Sequence, residues 1–190
     1  KNEYKHILDA NPDIIITCAY GQIIPETVLN YPKYGCINVH GSLLPKLRGG
    51  APIHHAIING FEYTGITIMY MDKLMDSGDI ISQESIKILD EDNLDSLYEK
   101  MSHLGAKLLI ETLPSIISKT NKRKKQQKEE VTFGYNITKE EEKISFTKSS
   151  KDIHNLIRGL SSVPGAYCFL SDKRLKIYRS SQTNIKSKNI

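Results

Sequence analysis

Residues 37–53, INVHGSLLPKLRGGAPI, place an asparagine and a histidine two residues apart at the end of an apolar run. On a strand, residues i and i+2 point to the same side, so Asn38 and His40 project together. An amide donor beside an imidazole suits a reaction that builds negative charge on a carbonyl oxygen. The amide can stabilise the oxyanion, and the imidazole can carry a proton. The same spacing is also met by a strand-end pair that bonds only to nearby backbone. The loop that follows, GSLLPKLRGGAP, has two prolines and three glycines in twelve residues, a composition that holds backbone in one shape. Leu43 and Leu44 in it are either a core plug or the apolar wall of a ligand site. Arg48, followed by Gly49 and Gly50, is free to reach an anionic group.

A second loop, DKLMDSGD at 72–79, carries acids. Asp76 precedes Ser-Gly, so a tight turn would hold its carboxylate at the mouth. There it could hold the His40 ring and support its charged form. The alternative is an Asx turn in which Asp76 bonds only its own backbone. His54 and His55 lie on a short helical stretch, and no spacing in the chain supports metal ligation. Cys18, Cys36 and Cys168 lie far apart, with no C-x-x-C pair. Cys18 and Cys36, in apolar runs, read as small buried hydrophobes.

The elements that must position these groups follow from periodicity. Short β-branched runs predict strands at 13–20, 35–40, 64–72 and 79–88, the last half-exposed. Helices are predicted at 25–32, with Pro25 at its first position, and at 51–60, ending at Asn-Gly. A long amphipathic helix is expected over 92–118, with Leu94, Leu97, Met101, Leu104, Leu108 and Leu109 on its apolar stripe. Strands alternating with helices predict an α/β fold with a doubly wound, mostly parallel sheet. Ligands then bind at the C-terminal ends of strands, where Asn38 and His40 lie. The opening KNEYKHILDANPD reads as a helix end leading into a strand, so the first strands of such a sheet are expected to lie upstream.

Charge divides the chain. Residues 1–120 hold ten Lys and Arg against fifteen Asp and Glu, and residues 121–190 hold sixteen against seven. The acidic part offers nothing to a polyanion; the basic part does. SKTNKRKKQQKEE, residues 118–130, has no apolar residue and reads as a linker. The expected organisation is a catalytic domain at 1–118, a basic linker at 119–130 and a small β-rich domain at 131–190. In the last, VTFGYNI, KISF, GAYCFL and RLKIYRS read as strands around the helix DIHNLIRGL, and SQTNIKSKNI as a fraying end. No apolar run reaches the roughly 18 residues of a membrane span, and no signal-peptide pattern opens the chain.

AYGQIIP, GCINVHGSLLPKLRGGAPIHHAIINGFEYTGITIMYMDKLMDSGDII, KISF, IHNLIRGL, PGAY and KRLKIY together resemble the formyltransferases that use 10-formyltetrahydrofolate, in particular the branch acting on methionyl-tRNA. The resemblance spans most of residues 9–180. It implies an α/β catalytic domain followed by a small OB-like β-barrel that helps hold tRNA. It places the catalytic roles on Asn38, His40 and Asp76, and folate binding on Gln22, Ile23, Ile24, Ser42, Leu43, Leu44 and Pro45. It further implies formylation of the α-amine of methionyl initiator tRNA, without a metal, by a monomeric enzyme of the bacterial cytoplasm or an organellar matrix. Charge adds Arg48, Lys122, Arg123, Lys124 and Lys125 as candidate tRNA contacts. Two alternatives stand beside this one: a sugar-nucleotide formyltransferase, and a nucleic-acid-binding piece without catalysis.

Overall fold

A computed structural model describes residues 4–183. Helix α1 (Lys5–Asp9) leads into strand β1 (Ile15–Cys18), followed by α2 (Glu26–Leu29), β2 (Cys36–His40), α3 (Pro52–Ile58), β3 (Tyr63–Tyr70), β4 (Ile80–Lys87) and α4 (Leu94–Ile117). After a 3-10 turn at Lys128–Glu130 come α5 (Ser150–Gly159), β5 (Ala166–Leu170) and β6 (Lys173–Ile177). Pro25 caps α2 from an extended conformation and is not its first helical residue.

The first four strands form one sheet in the order β1-β2-β3-β4. Only β1 and β2 are parallel; β2–β3 and β3–β4 are antiparallel. The sheet is therefore mixed, not mostly parallel. The reason lies in the connections. β3 and β4 are joined by the short loop 71–79, which suits only an antiparallel pair. The segment between β2 and β3 contains one seven-residue helix, and it returns the chain in the opposite direction.

Strand alternation sorts the two faces. Ile37, Ile66 and Ile68 join Leu97, Met101, Leu108 and Ile116 of α4 in the main core, with Val39 packed against it. The helix starts cleanly because Asn93 and Ser96 cap each other's backbone N–H groups. Of the expected stripe, Leu94, Leu97, Met101 and Leu108 are buried, and Leu104 and Leu109 partly so. On the opposite face of the sheet lie the intervening residues. Thr17 pairs with Asn38, His40 with Thr67, and Asn38 with Met69. That face carries the chemistry. Cys18 is exposed, contrary to expectation: α4 packs over β3 and β4 and leaves the same face open at β1. Cys36 is buried, and desolvation pushes its thiol up to about 11, so it stays protonated.

The C-terminal part has its own small core of Ile144, Ile157, Leu160, Ala166 and Cys168. β5 and β6 form a two-stranded hairpin. Among the described residues, VTFGYNI and KISF form no strand and touch their neighbours through single bridges, Arg48 with Phe133 and Lys143 with Tyr167. The expected barrel is thus represented here by one hairpin. Helix α5 packs on α3, and the Arg158 guanidinium donates to the carbonyls of Leu89 and Asp92, at 2.9 Å each. Of the expected fraying end, residues 184–190 lie outside the described residues. Among the described residues no helix is long and apolar enough to cross a membrane.

Candidate active site

Asn38 and His40 share the face away from α4, near the C-terminal end of β2. The hydroxyl of Thr17, beside Asn38 on β1, donates to Asn38 Oδ1 at 2.9 Å. That fixes the amide so that its N–H end is the part left to act. His40 is 5% exposed. Its Nε2 lies 3.1 Å from the carbonyl of Leu47. A carbonyl only accepts, so Nε2 carries the hydrogen and Nδ1 is the basic nitrogen. Nδ1 faces Asp76 Oδ2 at 3.7 Å.

Burial is the largest influence on His40 and lowers its pKa; Asp76 and the Leu47 carbonyl work the other way, and the charge of Arg48 adds to the lowering. The lowering favours the neutral ring at neutral pH, while Asp76 supports the charged form, the role the sequence suggested for it. A neutral ring with a bare Nδ1 toward a carboxylate can take a proton and hold it against that charge.

The Asp76 carboxylate also accepts the Gly49 N–H at 2.8 Å. Rather than closing an Asx turn, it joins the two loops that flank the site. Gly49 has φ +122, and a Cβ there would lie 2.7 Å from the Gly134 carbonyl oxygen, so this glycine serves close backbone approach, while a Cβ on Gly50 would meet the Asn136 side chain. Asp76 itself has φ +51.

The loop after β2 is held by Thr67. Its hydroxyl donates to the Ser42 carbonyl and accepts from the Leu44 N–H and from Gln83 Nε2. Gln83 also donates to the Leu44 carbonyl. The seven expected folate residues divide. Ser42, Leu43, Leu44 and Pro45 line a cavity of about 370 Å³ together with Phe61, Gln83 and the segment 124–127. Ser42 spends its hydroxyl on the Lys46 carbonyl, and Leu44 packs with Met69 and Ile80; both shape the loop more than they present side chains. Leu43 and Pro45 are half-buried. Gln22, Ile23 and Ile24 do not line that cavity. They follow β1, the strand that pairs in parallel beside β2, with Ile24 buried and Ile23 83% exposed. Asn38, His40 and Asp76 do not line the cavity either.

Arg48 does not reach outward. Its Nε and Nη2 both donate to Gln126 Oε1, at 3.1 and 2.7 Å. Lys122, Arg123, Lys124 and Lys125 are exposed, but the segment is not loose. The Arg123 guanidinium lies 3.8 Å from the Tyr70 ring, and Lys124 exchanges both backbone bonds with Ile80. His54 meets the edge of Tyr98, and His55 Nε2 bonds the Tyr135 carbonyl; both pack and bridge. Sequence reasoning missed Thr17 and Gln126. Thr17 is the one polar side chain in IIITC and was legible as an inward group beside Asn38. Gln126 left no signal in a run of lysines.

The Formyl transferase family model matches residues 1–113, and the Formyl transferase, C-terminal domain, matches residues 136–190. The chain is 51% identical over 178 residues to methionyl-tRNA formyltransferases of Bacillus thuringiensis (strain Al Hakam) and Bacillus cereus (strain B4264). That covers 94% of this chain and 57% of each relative, so the chain spans a little over half their length. Among solved structures, a 4-N formyltransferase from Francisella tularensis has a TM-score of 0.82 at 24% identity, over 97% of this chain and 76% of that one. A methionyl-tRNA formyltransferase from Clostridium thermocellum has a TM-score of 0.74 at 24% identity, over 96% and 78%. WlaRD, a sugar 3N-formyl transferase solved with dTDP and 5-N-formyl-THF, has a TM-score of 0.76 at 26% identity, over 90% and 62%.

Proposed function

The chain belongs to the formyl transferase family, and we propose that it serves a methionyl-tRNA formyltransferase. The reaction moves the formyl group of 10-formyltetrahydrofolate to the α-amine of methionyl initiator tRNA, for translation initiation in a cytoplasm or organellar matrix. The observation that carries this reading is the 51% identity to enzymes of that name, joined to a site where His40 faces Asp76 at 3.7 Å and Asn38 stands two residues before it on the same strand. The sugar formyltransferases named among the structural neighbours stand at 26% identity or less, in the range of the solved methionyl-tRNA formyltransferase at 24%, so the 51% relatives carry the choice.

The residues act in sequence. Asn38 donates its amide N–H to the formyl oxygen as the amine bonds to the formyl carbon and charge builds there. His40 takes through Nδ1 the proton the amine must lose, directly or through one water. Asp76 stabilises the imidazolium so formed. The proton then passes to the donor nitrogen as its bond to the formyl carbon breaks. His40 ends neutral, as it began. The exposed Ile23 beside the strand ends supports a wall for a flat ring, and Leu43 and Pro45 support a second. Residues 1–118 serve as the catalytic unit, 119–130 as the connector and 131–190 as the tRNA-holding unit, with Lys122 and Lys125 placed for phosphate contact and the protein acting as a monomer.

The test is formyl transfer by the intact protein, with 10-formyltetrahydrofolate and charged initiator tRNA. Formylmethionyl-tRNA is the expected product. Formylation of amino-sugar nucleotides, with none of methionyl-tRNA, would move the assignment to the sugar branch.

A further inference from the structure

Asp76 occupies a left-handed backbone conformation, φ +51, that non-glycine residues seldom adopt without support. The support comes from a segment that reads in sequence as a charged connector. Gln126 Nε2 donates to the carbonyls of Asp76 and Gly78, at 2.8 Å each. Its Oε1 accepts both bonds from Arg48. Both ends of the side-chain amide are thus committed. The neighbouring residues grip the same loop at its ends. Arg123 stacks on Tyr70, the last residue of β3, and Lys124 pairs by backbone with Ile80, the first of β4. Gly78 completes the fit, since a Cβ there would collide with the Tyr70 carbonyl.

We propose that Gln126 is a positioning residue for Asp76: by bridging the 71–79 loop to Arg48, it holds the carboxylate at His40 and ties the acid–base pair to the basic segment 122–125. This rests on the formyl-transfer reading only for its kinetic consequences. Four of its bonds act on one corner of the site. Two fix the backbone that aims the Asp76 carboxylate, and two hold the Arg48 charge at a set place beside it. A shift of about 1 Å in such a group costs on the order of 10²-fold in rate. The groups facing His40 are Asp76, Arg48 and the Leu47 carbonyl. When Asp76 moves away, the influence that raises the His40 pKa weakens and that of Arg48 remains.

The test uses Gln126→Glu and Gln126→Ala in the intact protein. Glu keeps the length and an acceptor for Arg48 but loses both donors and faces two carbonyl oxygens with a charge. Ala loses all four bonds. In both, kcat should fall on the order of 10- to 100-fold with KM for the folate donor within about two-fold. In Gln126→Ala the low-pH limb of the rate profile should move to lower pH, and the His40 ring, followed by NMR without substrate, should titrate lower as well; in Gln126→Glu the new carboxylate beside Arg48 opposes that shift, so kcat is the readout there. Ala checks the result should Glu fold poorly. Wild-type formyl transfer in both variants with His40 unmoved in Gln126→Ala overturns the proposal. So does a kcat equal to wild type in either folded variant. A wild-type protein that transfers no formyl group, with His40 shifted in Gln126→Ala, removes the proposed function and leaves the clamp standing.

Discussion

Two buried carboxylates in this chain make opposite use of their surroundings. Glu142, in the C-terminal part, accepts from Arg174 Nη2 and Lys176 Nζ at 2.9 Å each. Lys176 is fixed in turn by the carbonyls of Pro164 and Gly165, and the Tyr167 ring lies 3.8 Å under the Arg174 guanidinium. Asp76 is nearly as buried, with a side chain 13% exposed against 11% for Glu142. Yet it has one backbone N–H and a histidine 3.7 Å away. A carboxylate that already accepts from two cations does structural work. One that faces a buried, neutral imidazole has room to stabilise a charge that appears only during a reaction. Burial alone does not mark a functional acid; its unspent capacity does.

Mutation should separate the two regions most sharply in rate. His40→Ala should lower kcat on the order of 10²- to 10⁴-fold while donor affinity holds, as expected for a positioned acid–base group. Asn38→Ala should follow at roughly 10²- to 10³-fold through the lost oxyanion donor. A rise in the folate KM alone would make Asn38 a binding residue. Glu142→Gln should leave kcat unchanged and cost about 2 kcal/mol of stability, read by denaturant titration, because charge-assisted bonds are lost while Arg174 and Lys176 can still reach water. A rate loss in Glu142→Gln without a stability loss would erase the contrast.

The comparison also has a pH signature. Burial lowers the pKa of His40, and also that of His54, where the nearby His55 adds to the effect. A histidine whose folded pKa lies below its unfolded value, about 6.5, takes its proton more readily in the unfolded chain. Stability is therefore full above that pH and falls as pH drops through it. Thermal melts from about pH 7.5 to about pH 5.5 should show that decline. Asp76→Asn removes the charge that raises His40, so the low-pH limb of kcat/KM should move to lower pH. A limb that moves upward would mean Asp76 does not act on His40.

Short β-branched runs and helical patterning located β1 to β4 and α4 to within a few residues, because burial imposes those patterns directly. Strand direction was not legible. It depends on which way the chain returns after α3, and a seven-residue helix carries no mark of that. Asn38 and His40 were legible because one strand holds both. The pairing of His40 with Asp76 spans 36 positions; loop chemistry offered it beside an Asx turn, and resemblance, not spacing, favoured it. Leu43 and Leu44 are adjacent, so one turns toward the core with Met69 and Ile80 while the other stays half-buried. Sequence could not say which. Gln126 was invisible because its value lies in backbone carbonyls, which every residue has.

The smallest expected effect concerns the segment that joins the two regions. NKRKKQQK carries five positive charges in eight residues, and a surface that meets tRNA phosphates releases counterions as it binds. The structure divides those charges by task. Arg123 is committed to Tyr70, and the Lys124 backbone to Ile80. Lys122 and Lys125 are exposed, and their side chains have no such partner among the described residues. Lys122→Gln with Lys125→Gln should raise the KM for tRNA a few-fold, flatten its salt dependence by roughly one unit per lost contact, and leave kcat alone. Arg123→Gln should do something different. It loosens one end of the Asp76 loop, so kcat should fall while the salt slope changes less. An unchanged salt slope in the double variant would make these lysines the solvated face of a connector and move tRNA binding to the residues after Val131. Identical behaviour of Arg123→Gln and the lysine pair would mean that the segment acts through charge alone and does not brace the loop.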